Sequence, residues 1–195
     1  FGKVIWMRNA GNTEMNHVWY NGRGLKKDFN VYAKYNYELV ENLNLFLDLQ
    51  YRAIDYEIDG TDKKLRKLDQ SHNFEFFNPK VGLYYQPEDR QNMYVSFARA
   101  NREPNRDNYV DADPTKKAPV YETLNDFEAG YKFNTNKMAF GANAYYMLYK
   151  DQLILTGQIN DVGAPIMTNV DNSYRIGLEL TAGMKITQKL KWDIN

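Results

Sequence analysis

Hydrophobic and polar residues alternate with a period of two through most of the chain, the pattern of β-strands with one apolar and one polar face. From Asp28 to Leu39, Phe29, Val31, Ala33, Tyr35 and Tyr37 fall on one side, and Asn30, Tyr32, Lys34, Asn36 and Glu38 on the other. Leu43 to Ile58 sets Leu43, Leu45, Leu47, Leu49, Tyr51 and Ala53 against Asn44, Phe46, Asp48, Gln50 and Arg52. In the next run, Asn73 to Gln86, Val81, Leu83 and Tyr85 share a face, and Pro79 predicts a bulge or a local break in the ladder. Met93, Val95 and Phe97 then oppose Tyr94, Ser96 and Ala98, and Phe127, Ala129, Tyr131 and Phe133 oppose Glu128, Gly130 and Lys132. Met138, Phe140, Ala142, Ala144, Tyr146 and Leu148 make a further apolar stripe, as do Ile176, Leu178, Leu180, Ala182 and Met184. Seven full strands are expected, with partial ones over 2–9 and 190–195. No helical periodicity of comparable length competes with them.

The connections between these strands alternate in length. Short turns are expected near 40–42, 87–91, 134–136 and 187–189, and long connections over 7–24, 59–72, 102–120 and 156–172. In an antiparallel meander this places every short turn at one end and every long loop at the other, as in outer-membrane barrels. A run as long as Leu43–Ile58 also exceeds the roughly five or six residues of an ordinary soluble strand. Lys34, Asp48, Gln50, Arg52, Glu128, Lys132, Asn143, Glu179 and Lys185 all lie on the polar side. A small soluble barrel would bury these groups without partners, whereas a wide one would present them to a watery or plugged lumen. The expected fold is therefore all-β, an antiparallel up-and-down transmembrane β-barrel, present as a partial barrel of about eight strands. Leu45, Leu47, Leu49, Met93, Val95, Phe97, Phe140, Ala142, Ile176, Leu178 and Leu180 are expected to face lipid. Asn92 then marks the periplasmic side and Asn105 the outer side.

Composition sharpens this picture. Tyrosine leads the aromatic residues, with 16 Tyr beside 10 Phe and 3 Trp, a weighting that suits strands and the borders of a membrane. Cysteine is absent, so neither a disulfide framework nor a thiolate metal site is available. Lys and Arg balance Asp and Glu at 25 each, which gives no electrostatic case for nucleic acid. No apolar run is long enough for a transmembrane helix, an exclusion that leaves barrel strands untouched. The start at Phe1 and the end at Asn195, inside a predicted strand, lead us to expect a portion of a longer protein.

Several segments together resemble the later part of the barrel of TonB-dependent outer-membrane receptors, particularly Bacteroides-like receptors grouped with iron-siderophore transporters. The strongest piece is Ser96–Asn108 followed by Leu124–Tyr131, and the segments 160–164 (NDVGA) and 168–180 (TNVDNSYRIGLEL) agree with it. The resemblance implies a barrel of about twenty-two strands filled by an N-terminal plug that lies outside this sequence. It implies outer loops that capture a scarce ligand such as a ferric siderophore, energy from the TonB complex, contact with outer-membrane lipid, and no cofactor. Two other classes remain open on the residues alone: a small stand-alone outer-membrane barrel with an adhesin or structural role, and a soluble all-β carbohydrate-binding module using Trp6, Trp19 and loop tyrosines.

Arg99, Arg102, Arg106 and Asp107 cluster where the Met93 strand leaves the wall, and Arg52 and Glu128 lie on the polar side. Their functional reading is contact with an anionic ligand or the plug, because arginine offers carboxylates a rigid multi-donor fork. The alternative is ion pairing with Glu103, Asp107, Asp111 and Glu128 that holds the base of the loop. His17 and His72, without cysteine, are expected to be isolated surface histidines rather than metal ligands, and Asp55, Glu57, Asp59 and Asp62 a solvated charge run. Trp19 and Tyr20 are expected to pack within a loop. Neither G-x-S-x-G nor H-E-x-x-H occurs, Ser71 beside His72 is sequence adjacency, and Gly22 and Gly24 precede no helix that would make a phosphate loop. The chain is not expected to be an enzyme.

Overall fold

The alternation is realised as a single antiparallel sheet. In the computed structural model, which describes residues 1–8, 11–63, 65–112, 117–159 and 163–195, nine strands pair strictly in sequence order. They are β1 (Gly2–Lys3), β2 (Val18–Val40), β3 (Leu43–Thr61), β4 (Gln70–Glu88), β5 (Gln91–Arg102), β6 (Glu122–Asn134), β7 (Met138–Ile159), β8 (Pro165–Lys185) and β9 (Lys191–Ile194). A short helix, α1 (Arg106–Val110), interrupts the connection between β5 and β6. The result is an incomplete, unclosed barrel wall.

Register carries the apolar stripes across the whole sheet. One row runs Tyr35, Leu47, Val81, Phe97, Phe127, Tyr146 and Ile176, each the direct partner of the next. The row beside it runs Tyr37, Leu45, Leu83, Val95, Ala129, Ala144 and Leu178. Since a slip of one residue would turn every side chain of a strand to the other face, this agreement ties all seven strands to one apolar surface. That surface is open to the surroundings, with Ile176 71% and Leu178 63% exposed. Its upper limit is polar on strand after strand: Lys27, Asp55, Glu75, Arg99, Asn125, Lys150 and Asn172 take over the same phase. Between such limits and the turns lie runs of about ten residues, the length of strand that crosses hydrocarbon.

Several boundaries depart from expectation. β2 begins at Val18 rather than beyond Gly24, which puts Trp19 and Tyr20 on a strand, and the Trp19 Nε1–H donates to the Lys63 carbonyl at 3.1 Å. The connections expected over 59–72 and 156–172 shrink, because β3 continues to Thr61 and β7 and β8 extend to Ile159 and back from Pro165. Polar residues beyond the apolar run keep pairing there, as nothing in a ladder requires the side chains to be apolar. Gly60 shows how a turn residue is absorbed: its φ of 108° lies where L side chains strain, and a Cβ would come within 2.0 Å of the Asn21 carbonyl oxygen. Of the 160–164 segment, residues 160–162 lie outside the described residues.

No bulge occurs at Pro79, which pairs in register with Leu49. The β4–β5 ladder opens beyond Lys80 and Ala98, so proline sits where pairing on that side has ended. The fork is filled by amides: Asn78 Oδ1 accepts from the Asn101 backbone N–H at 3.0 Å and from its side chain at 2.9 Å. The irregularity of this hairpin lies at its turn, between Tyr85 and Glu88.

The buried apolar cluster lies on the polar face, at the end away from the short turns. Ile54, Tyr56 and Ile58 of β3, Phe76 of β4, Leu68 and the helix residue Tyr109 bury one another, with Phe74 and Val110 against them. Residues 54, 56 and 58 continue the phase of Asp48, Gln50 and Arg52. They are apolar there because the β5–β6 connection folds back over them.

Candidate functional site

The connection that covers this cluster is fastened at both ends. At its start, Arg52 reaches from β3 to Asp28 on the adjacent strand, with Nε–Oδ1 at 3.0 Å and Nη2–Oδ2 at 2.6 Å. The same guanidinium donates to both oxygens of Glu103 at 3.1 Å, and Lys26 Nζ donates to Glu103 Oε1. Glu103, with its side chain only 10% exposed, thus closes a four-residue network of two cations and two carboxylates. Burial opposes its ionisation, but the Lys26 hydrogen bond and the Arg52 charge more than offset this, and the Glu103 carboxyl titrates below the usual range.

Next comes α1, whose first turn is held by a reciprocal cap: Asn105 Oδ1 accepts from the Asn108 N–H, and Asn108 Oδ1 from the Asn105 N–H, both at 2.9 Å. Tyr109 points from it into the cluster and stacks on His72 with centroids 3.9 Å apart. Burial, and secondarily the nearby Glu103 charge, push the Tyr109 phenol up to about 12. At the far end of the connection, Asn169 of β8 clasps Val120 by two hydrogen bonds, Val120 N–H to Oδ1 and Nδ2–H to the Val120 carbonyl, both 2.9 Å.

The residues singled out in sequence separate into different surroundings. Arg52 is the centre of the Glu103 network. Arg102 pairs with Glu122 on β6 at 2.9 Å, rather than with the acids of its own loop. Arg106 has Asp107 as an acidic neighbour at 3.6 Å. Arg99 shares the phase of Phe97, and so lies on the apolar side at the end of its run, away from the other three arginines. Glu128 stands on the polar face of β6, its Oε2 3.3 Å from the Tyr94 hydroxyl, whose proton has a nearer acceptor in Asn143 Oδ1 at 2.8 Å. Tyr94 lies flat over its cross-strand partner Gly130, where a Cβ would come within 2.2 Å of the ring. Asp126, two residues from Glu128 on the same face, has a buried Oδ1 without a hydrogen-bond partner among the described residues.

His72 is not isolated. Besides Tyr109, it meets Gln70 Oε1 through Nε2 at 2.8 Å. Asp62 is tied to Arg66, which donates to it through Nε at 2.7 Å and through its backbone N–H at 2.8 Å. Among the described residues no group of three His, Cys, Asp or Glu is placed to hold a metal ion. Sequence reasoning missed Lys26, Asp28 and Tyr109, although apolar residues at 54, 56, 58, 74 and 76 in a polar phase were a readable sign that something covers them.

This wall, with its apolar exterior, its polar face and its short turns gathered at one end, matches a known family. Residues 5–195 match the family described as TonB dependent receptor-like, beta-barrel. The chain belongs to the TonB-dependent receptor barrel family. It is an outer-membrane β-barrel protein. Among solved structures it is similar to the copper transporter OprC, with a TM-score of 0.75 at 15% identity over 87% of this chain and 28% of that one. It is similar to the ferric yersiniabactin uptake receptor FyuA from Yersinia pestis, with a TM-score of 0.66 at 16% identity over 88% of this chain and 26% of that one. It is also similar to the FrpB iron transporter from Neisseria meningitidis, F3-3 variant, at 0.64 and 19% over 86% and 25%. The chain therefore spans about a quarter of the length of these receptors, and at such identities the likeness is one of fold. No curated protein sequence matches the chain.

Proposed function

We propose that this chain is the later part of the barrel of an outer-membrane active transporter that captures a scarce ligand, a ferric siderophore or another iron complex, and imports it with energy from the TonB complex. The observation that carries this reading is the family match across residues 5–195. Two of the three similar structures named above are an iron transporter and a ferric yersiniabactin uptake receptor, and one is a copper transporter, so an iron complex is the first cargo to test.

In this reading the apolar rows face lipid, including Leu45, Leu47, Leu49, Met93, Val95, Phe97, Phe140, Ala142, Ile176, Leu178 and Leu180, and the exposed Arg99 marks the outer head-group level. The polar face lines the interior, where an N-terminal plug and the remaining strands, both outside this chain, complete the receptor. Glu128, beside the unpaired Asp126 oxygen, is a contact for a cationic plug side chain. Arg52, by contrast, serves the loop that folds over the wall.

The test uses an iron-limited strain lacking the full-length receptor. Restoring the gene is expected to recover uptake of at least one radiolabelled ferric siderophore or iron complex, and restoring it without the TonB-contacting segment is not. Equal uptake across a broad panel with and without the receptor would overturn the iron reading.

A further inference from the structure

Two glycines on the polar face of β2 make room for one arginine. Gly22 and Gly24 occupy the phase of Lys26 and Asp28, where side chains would otherwise stand. Arg106 of α1 lies in the bare strip they leave, its Nη2 2.6 Å from the position of a Cβ on Gly22 and its Cδ 3.5 Å from that of one on Gly24. The guanidinium borders a cavity of about 350 Å³ whose walls also carry the cations Lys63 and Arg66 and the carboxylates Asp62, Asp107 and Asp111.

The charges around this cavity are unequally committed. Arg66 is bound to Asp62 and donates to the Val110 carbonyl at 3.5 Å. Lys63 lies over the Tyr20 ring at 5.7 Å, without a carboxylate partner among the described residues. Arg106 has no hydrogen bond among the described residues. The carboxylate it meets is that of Asp107, 3.6 Å away on a side chain 75% exposed, which is beyond hydrogen-bonding distance. A guanidinium seated over two glycines, with no hydrogen bond among the described residues and a second cation on the same cavity, is disposed to take an oxyanion.

We infer that this cavity is an oxyanion subsite, taking a carboxylate or phosphate group of the ligand on Arg106 and Lys63, with Asp107 as the internal competitor for the same guanidinium. The identity of the oxyanion as part of the imported ligand rests on the transport reading. The existence of the subsite does not.

The experiment is calorimetric titration of the purified full-length receptor with succinate and, separately, with inorganic phosphate, which distinguishes planar from tetrahedral oxyanions. Wild type is expected to bind at least one of them saturably. Arg106→Ala is expected to weaken binding at least tenfold. Gly22→Ala is expected to weaken it by a smaller factor without altering charge, because its methyl group would push aside the end of the guanidinium, 2.6 Å from that position. Asp107→Asn is expected to tighten binding several-fold, an outcome that misfolding cannot imitate. Failure of wild type to bind either anion, or equal binding by wild type, Arg106→Ala and Gly22→Ala, would overturn the subsite. Anion binding by a receptor that imports no iron complex would overturn the transport reading and leave the subsite standing.

Discussion

The polar face of this wall has two halves that share one ladder and differ in what lies on them. Over the outer end of β2–β4 a loop has folded back, so that Ile54 and Ile58 are 1% and 0% exposed and each charge of the Lys26, Asp28, Arg52 and Glu103 network has an opposite partner. Over β5–β8 the same face carries Asp126, Glu128 and Glu179 around Tyr94 and Asn143, and Asp126 Oδ1 is buried without a hydrogen-bond partner among the described residues. Backbone pairing is equally regular in both. Strand ladders therefore decide the shape of the wall, while balancing its interior charge falls to whatever covers it: the chain's own loop on one side, and in the proposed receptor the plug on the other.

The comparison is broken most severely by removing the anchor of the covered half. Tyr109→Ala deletes an aromatic side chain 7% exposed, and truncations of this kind cost about 3–5 kcal/mol where the site cannot collapse. The loss falls on the docking of the loop and not on the strand ladders. Limited proteolysis of the full-length receptor is expected to cut within 103–121 in the variant and to spare wild type, with the barrel itself still resistant. Equal resistance of the two would show that the Glu103 network and the Asn169 clasp hold the loop without the aromatic anchor.

A smaller effect is expected from Glu103→Gln, which keeps the shape and removes the charge that Lys26 and Arg52 share. Hydrogen bonds to charged groups contribute about 1.5–3 kcal/mol, and Arg52 retains Asp28, so the loss belongs at the lower end. The same interaction gives a pH dependence whose sign follows from the depressed carboxyl. Its stabilisation is complete above the ordinary glutamate pKa of about 4.3 and is lost as pH falls below that through the depressed value. Protection of the 103–121 loop against hydrogen exchange is expected to fall in that acid range in wild type and to fall less steeply in Glu103→Gln, where Arg52 keeps only Asp28. A parallel fall in both would assign the acid sensitivity to other groups.

Much of this was legible in the chain because the evidence for a strand is local. The phase of Leu43–Ala53 or Ile176–Met184 can be counted directly, and the two-fold alternation settles which residues of each strand share the apolar face. Strand ends were not legible, since the polar extension at Asp59–Thr61 resembles a loop in composition and is strand through its partners on β2, and β7 runs on past an irregularity between Leu155 and Ile159. The site was legible in part. Arg52 and Glu128 could be placed on the polar face by counting, but the partnership of Arg52 with Glu103 spans 51 positions. It depends on a loop folding inward, which no periodicity reports. Arg99 shows the opposite lesson: adjacency in sequence grouped it with Arg102 and Arg106, whereas phase alone would have set it beside Phe97.

The smallest expected effect tests the uncovered half. Asp126→Asn removes one of two carboxylates, Asp126 and Glu128, that stand two residues apart on the same face, and Asp126 Oδ1 has no hydrogen-bond partner among the described residues. Relief of like-charge repulsion and retention of shape oppose the modest desolvation cost of the amide. Thermal unfolding of the purified barrel, followed by its heat-modifiable gel mobility, is expected to change by no more than about 0.5 kcal/mol, against the larger loss for Glu103→Gln. If Asp126→Asn is as damaging as Glu103→Gln in a receptor lacking its plug, the barrel must supply Asp126 with a cation from its remaining strands. If the damage appears only when the plug is present, the plug supplies it, and the two halves of the polar face are balanced by different parts of the receptor.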